Sequence, residues 1–146
     1  MSTIEAPFRA EIRVDGIPKA QPRARATMRG RHAGVYDPGT ADAWKAIVAS
    51  QARRHRPATP LEGPLSVSIE FYFERPKRLC SVRHPDGRVP HVARPDRDNC
   101  EKAVLDCLKQ DGWFRDDSQV CAGEVRKWYH EKGGRPGAVI VVEEIT

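Results

Sequence analysis

Four aspartates, Asp96, Asp98, Asp116 and Asp117, and one lysine, Lys102, fall between residues 94 and 120 of a chain that is otherwise basic. Clustered carboxylates supply the hard oxygen ligands that Mg²⁺ or Mn²⁺ prefers. An ion held this way can bind a scissile phosphate, generate the attacking hydroxide and steady the departing oxygen. A lysine beside it can neutralise the negative charge that builds on phosphorus. Lys and Arg number 25 against 20 Asp and Glu, for a net charge of +5. Acid gathered at one place in such a chain points to metal-assisted chemistry on nucleic acid.

These groups flank one short helix. Asp98-x-x-Glu101 resembles a capping box, and Cys100, Ala103, Val104, Cys107 and Leu108 give the helix an apolar face that ends at Asp111-Gly112. Pro95 biases the residue before it away from helix. If residues 96–98 are extended, period-two geometry turns Asp96 and Asp98 to one side. Lys102 lies one turn past Asp98 on the same face. Asp116 and Asp117 follow the helix, which spans about 16 Å. The two acidic pairs meet only if the 110–117 loop folds back beside the helix start. A plainer reading remains open at this point: Asp98 is a cap, Asp96 and Asp116-Asp117 are turn residues, and Lys102 pairs with Asp106.

The scaffold is legible from periodicity. Phe8, Ala10, Ile12 and Val14 alternate with polar residues as a half-buried strand, and Leu65, Val67, Ile69, Phe71 and Phe73 do so again. Between them, a Pro/Arg-rich loop runs to about Tyr36. A helix then starts at Asp37-Pro38, carries Ala41, Trp44, Ile47, Val48 and Ala52 on one face and stops at Pro57. A second basic loop covers 75–94. Residues 119–129 and 138–145 read as two strands joined as a hairpin through HEKGGRPG. The expected fold is α+β, in the order β-α-β-α-β-β, with a single mixed sheet and two helices on one of its faces. The 146 residues fit a single domain.

The basic residues crowd into the loops. Arg23, Arg25, Arg29, Arg31, Lys77 and Arg78 are candidates for phosphate contacts, set against the plainer view of ordinary solvated cations. Trp113 and Phe114 read as packing under the Asp116-Asp117 loop, with a base-wedging role as the alternative. Cys80, Cys100, Cys107 and Cys121 form no CxxC pair, so a zinc site is not expected. No apolar run approaches the roughly 20 residues of a membrane span, and MSTIEAPFRAE lacks a signal-peptide core; the expected compartment is the cytoplasm.

The stretch RPDRDNCEKAVLDCLKQDGWFRDDSQV resembles the signature of the RusA family of Holliday junction resolvases, found in bacteria and their prophages. The matching positions are Pro95, Asp96, Asp98, Asn99, Lys102, Leu105, Asp106, Leu108, Asp116, Asp117, Gln119 and Val120. KGGR at 132–135 and QPRAR at 21–25 also look like the family. The resemblance implies a Mg²⁺-dependent homodimeric endonuclease that nicks two strands of a four-way DNA junction symmetrically, with no small-molecule cofactor. It assigns Asp96, Asp98 and Asp117 as metal ligands, Lys102 as the essential lysine, and Asp116 and Asn99 as supporting residues. Arg97 and Cys100 depart from the family, which usually has apolar residue or leucine there. Two rivals stand beside this reading. One is a nuclease of the PD-(D/E)xK type, for which Glu124-Val125-Arg126 lacks the lysine. The other is a branched-DNA-binding protein without turnover.

Overall fold

The computed structural model describes residues 6–22, 25–29, 32–36 and 41–146, the two short middle segments by backbone alone. The chain is an α+β fold built on one mixed sheet. Strand β1 (Arg9–Asp15) alternates exposed and buried along its whole length. The segment expected as an open loop contains instead an antiparallel hairpin of β2 (Arg25–Arg29) and β3 (His32–Tyr36), a separate two-stranded sheet. Helix α1 (Asp42–Ala52) buries Trp44, Val48 and Ala52 and has Ala41 at its N-cap. The Asp37-Pro38 start expected for it lies outside the described residues.

Strand β4 (Leu65–Phe73) is the axis of the sheet. Its odd-numbered residues are all buried, as the alternation requires. After it come the very short β5 (Val89–Pro90), inside the expected basic loop, and then helix α2 (Arg97–Gln110). Next are β6 (Val120–Ala122), β7 (Val125–Tyr129) and β8 (Gly137–Glu144). The sheet runs β1-β8-β4-β7-β5, with β6 also pairing β4.

The expected hairpin of the last two strands does not form. Strand β8 pairs antiparallel with β1 and β4, whereas β7 lies parallel to β4 on its other side. A parallel neighbour needs a long crossover, and α2 supplies it between β4 and β7. The segment expected as one strand at 119–129 is broken at Gly123. Its φ is +126°, and a Cβ there would come within 2.0 Å of the Val67 carbonyl oxygen. Only glycine permits that approach, so the chain steps from one pairing with β4 to the next.

Both helices pack on the face of the sheet lined by Ile12, Val14, Leu65, Val67, Ile69, Phe71 and Ile140. Trp113 and Phe114 join this core at 0% and 2% exposure, and Phe8 meets the Trp113 ring edge-on at 6.1 Å. Their burial assigns them to packing, worth about 2–3 kcal/mol for each such side chain, and removes them as base wedges. Cys100 and Cys107 are buried free thiols in the same core, where burial pushes each up to about 11. They behave as small apolar residues.

Candidate active site

Helix α2 begins one residue ahead of Asp98. Asp96 takes the N-cap position with an extended backbone (φ −70°, ψ 148°), and Arg97 is already helical. The capping box expected on Asp98 is therefore absent, and Asp98 sits inside the first turn. Nor do Asp96 and Asp98 share a side through an extended 96–98 segment. An N-cap aspartate ordinarily accepts an N–H of the first turn, yet the Asp96 side chain makes no capping bond. Asp96, Asp98 and Lys102 are exposed, and none has a side-chain hydrogen bond or ion pair among the described residues. Caps and structural ion pairs consume their charged groups; these three remain available. The alternative pairing of Lys102 with Asp106 is not formed.

A cleft in front of Asp96 is lined by Gln21, Arg94, Pro95, Asp96 and Asn99. The Gln21 backbone N–H donates to the Asn99 carbonyl at 2.9 Å, tying the segment that leads to β2 onto the first turn of α2. Of the candidate phosphate contacts, Arg23 and Arg31 lie outside the described residues, as do the side chains of Arg25 and Arg29. Lys77 and Arg78 are exposed on a 3-10 turn, Lys77–Leu79.

That second basic loop is held from beneath. Arg75, 4% exposed, donates from its guanidinium to the carbonyls of Leu79, Pro85, Gly87 and His130 at 2.7–3.3 Å. The Lys132 ammonium donates to the carbonyls of Ser81 and His84 and to Asp86. The KGGR stretch at 132–135 therefore helps fix the loop that carries Lys77 and Arg78.

Past α2, Gly112 takes φ +84° and lets the chain turn back. The Leu61 N–H donates to the Trp113 carbonyl at 2.9 Å, pinning the return. A 3-10 turn, Asp117–Gln119, then carries the second acidic pair. Here the capping box is real. Asp116 and Gln119 satisfy each other's backbone, and the Gln119 side chain accepts from the N–H groups of Arg115 and Asp116 while donating to the carbonyls of Leu61 and Gly63. Asp116 also bonds Ser118 and pairs with Lys109 at 3.4 Å. The Ser118 hydroxyl, then Lys109, hold its carboxyl below the usual range.

Asp117 is placed differently. Its Oδ1 is buried and has no hydrogen-bond partner among the described residues. Burial, followed by the neighbouring Asp106 carboxylate, raises its pKa above the ordinary 3.8. The loop does fold back, and it meets α2 at Asp106. Asp98, Lys102 and Asp106 recur every four residues and so line one face of the helix. Asp98 and Asp106 are about 12 Å apart along the axis. Among the described residues, no three His, Cys, Asp or Glu side chains stand close enough together to hold a metal ion.

The donor chemistry nevertheless suits a hard divalent cation: among the described residues, exposed carboxylates with no partner at Asp96 and Asp98, and a buried orphan oxygen on Asp117. Residue spacing offers Asp106 only as a partner for Lys102, and the family resemblance matches the position without giving it a role. Its contact with Asp117 depends on the fold-back, and no local pattern encodes it. Gln119 carries a local signal, since Asp followed three residues later by Gln is the capping-box spacing.

The family model for the endodeoxyribonuclease RusA matches residues 15–143. The chain is also 32% identical over 138 residues to YqaN of Bacillus subtilis (strain 168), itself uncharacterised, across 91% of this chain and 94% of that one.

Proposed function

Because the chain belongs to the RusA endodeoxyribonuclease family, we propose that it resolves four-way DNA junctions by paired symmetric nicks, as a homodimer that depends on Mg²⁺. The observation that carries this reading is the state of three carboxylates. Among the described residues Asp96 and Asp98 are exposed and unpartnered at the start of α2, and Asp117, beside Asp106 farther along the same helix, has a buried Oδ1 without a partner. A carboxylate serving as a cap would accept an N–H of its own turn, as Asp116 does; Asp96 makes no such bond.

In this mechanism Asp96, Asp98 and Asp117 would hold Mg²⁺, or Mn²⁺ in its place, which when bound would supply charge neutralisation at the scissile phosphate and a more acidic water for the attack. Lys102 reaches from the α2 face between the two ends of this row and offsets the charge that develops on phosphorus. Asp116 and Gln119 hold the turn that presents Asp117. Lys77 and Arg78, with Arg23, Arg25, Arg29 and Arg31, bind the phosphates of the junction arms. A four-way junction has approximate two-fold symmetry, so two copies of one domain present one site to each of two opposed strands.

A second reading is a branched-DNA-binding protein without turnover. It draws on the separation of Asp117 from the helix start, which leaves no three-ligand cluster among the described residues. One experiment separates the two. The nuclease cleaves a synthetic four-way junction with Mg²⁺ and not with EDTA, and Asp96→Asn or Asp117→Asn ends cleavage while junction binding persists. Junction affinity with no product under any divalent ion would establish the binding protein instead. Cleavage that survives both substitutions would refute the ligand assignment.

A further inference from the structure

Lys127 lies in β7, in register with Phe71 of β4. Its ammonium donates to the Ala93 carbonyl at 2.7 Å and to the Pro95 carbonyl at 2.6 Å. Its own carbonyl accepts the His91 N–H at 3.1 Å. A single residue of the sheet thus grips the approach to α2 at three points, through residues 91, 93 and 95. The next residue in the chain is Asp96.

A half-buried ammonium is a costly way to fill space, since it gives up hydration. Among the described residues Lys127 forms no ion pair. The two carbonyls it binds are the last ones before the N-cap except that of Arg94. An apolar side chain could pack in this place but could not fix those carbonyls. The charges of Lys127, Asp96 and Asp98 are all felt at the buried Cys100 thiol, which locates the three around the first turn of α2.

We propose that Lys127 is a positioning residue for the nuclease site: it fixes the 93–95 segment so that Asp96 and Asp98 keep the mutual geometry that a divalent cation requires, and it does not itself contact DNA. The proposal rests on the metal-nuclease reading. Misplacing a reacting group by about 1 Å can cost on the order of 100-fold in rate, so a residue that acts only through Asp96 can be as necessary as a ligand.

The test compares the full-length wild-type protein with Lys127→Gln and Lys127→Arg. Mn²⁺ affinity is measured on protein alone by calorimetry, and amide exchange is followed across residues 93–100. Junction affinity is measured in EDTA, and the Mg²⁺ concentration for half-maximal nicking is measured with junction present. Lys127→Gln is expected to weaken Mn²⁺ binding at least fivefold, to speed exchange at 93–100 and to raise the Mg²⁺ requirement in parallel. Junction affinity should stay within twofold. Arginine, which can donate to both carbonyls, should restore most of the metal affinity.

Unchanged Mn²⁺ affinity in a folded Lys127→Gln protein overturns the proposal, as does a loss of junction affinity accompanied by a shallower salt dependence. If the glutamine variant does not fold, the arginine variant decides. A folded arginine protein with wild-type metal affinity supports the proposal, and one with a tenfold loss overturns it. Wild-type protein that binds Mn²⁺ but nicks no junction would sink the nuclease reading alone, leaving Mn²⁺ affinity and exchange to judge Lys127.

Discussion

Asp117, on the turn after α2, faces Asp106 two turns along that helix from Asp98. Two carboxylates in contact, one with a buried oxygen that bonds nothing among the described residues, are an unfavourable pair until a cation joins them. Burial and Asp106 raise the Asp117 pKa above 3.8 in the folded protein. A carboxyl raised in this way contributes its stability below the unfolded value, and that contribution is lost as pH rises through the folded pKa. Ionising Asp117 in the metal-free protein therefore carries a cost. Asp117→Asn should make it more stable in EDTA by about 0.5 kcal/mol, the size of a solvent-screened charge contact. It should also lower single-turnover nicking at least 100-fold. Asp106→Asn, which removes the neighbour and leaves the proposed ligands, should cost nearer tenfold. Urea unfolding in EDTA at pH 5 and pH 7, beside nicking rates in Mg²⁺, measures both effects.

Gln119 holds the turn on which Asp117 sits, through two accepted and two donated hydrogen bonds. Replacing it with leucine keeps the bulk and strands the Leu61 and Gly63 carbonyls. A loss of about 1–2 kcal/mol is expected, for two partly buried acceptors that water can partly recover. Nicking should fall more than junction binding, because the displaced group is a proposed ligand and not a phosphate contact. Thermal unfolding and a split of turnover rate from junction affinity would read this out.

How far the fold could be read from the sequence depended on the range of the signal. Strict alternation located β1 and β4, and the three-to-four spacing of Trp44, Ile47 and Val48 located α1. The placing of β7 and β8 on opposite sides of β4 was not legible. Pairing partners are chosen by the whole sheet, and nearness in sequence favoured a hairpin that the crossover through α2 displaces. The β2–β3 hairpin was hidden because its strands are only five residues long: Ala26 and Met28 alternate with polar residues in β2, but His32–Tyr36 shows no such alternation. At the site, residue types and spacing drew attention to Asp96, Asp98, Asp116, Asp117 and Lys102 but left caps and turns as an equal account; the choice of Asp96, Asp98 and Asp117 as ligands came from the family resemblance. That Asp106 meets Asp117, and that Lys127 grips Ala93 and Pro95, depends on contacts between distant segments that local pattern does not record.

Arg75 organises the 76–90 loop from below, with every polar direction of its guanidinium directed at a carbonyl. Arg75→Met leaves those carbonyls without a donor in a buried setting. The expected loss is about 3 kcal/mol, the range for breaking a buried charged group's hydrogen bonds. Lysine should rescue little, since one ammonium cannot span the same four residues. Trypsin should then cut at Lys77, Arg78 or Arg83 under native conditions well before the wild-type loop is cut, and peptide mapping of the digest would locate the site.

Lys77 and Arg78 are exposed on a turn that Arg75 keeps in place, which suits them to meet phosphates with little ordering cost. If both bind junction phosphates, the double glutamine variant should flatten the plot of log affinity against log salt by about 1.8, from roughly 0.9 per phosphate contact. The same measurement on Arg23→Gln with Arg25→Gln tests the other basic segment. An unchanged slope for either pair would remove that pair from the DNA contacts. Affinity should fall evenly across junction sequences in both cases, because phosphate contacts carry no base information.

His91 is buried between aromatic rings, stacked on Phe73 at 4.1 Å and edge-on to Tyr129 at 4.7 Å. Burial, and then the nearby Lys127 charge, lower its pKa from the ordinary 6.5. As pH falls the unfolded chain therefore takes up this proton first. The stability that the neutral ring contributes is full above 6.5 and declines below it until the folded form also titrates. The wild-type urea midpoint should accordingly fall between pH 7 and pH 5. His91→Phe keeps the stacked ring and removes the titrating group, so its midpoint should fall less over the same interval. His91 precedes the segment gripped by Lys127, and a charged ring there would repel that ammonium. Metal affinity should thus weaken below pH 6 in the wild-type protein more than in His91→Phe, measured with Mn²⁺ at matched ionic strength. Equal pH dependence in the two proteins would place the titration elsewhere, in the carboxylates themselves.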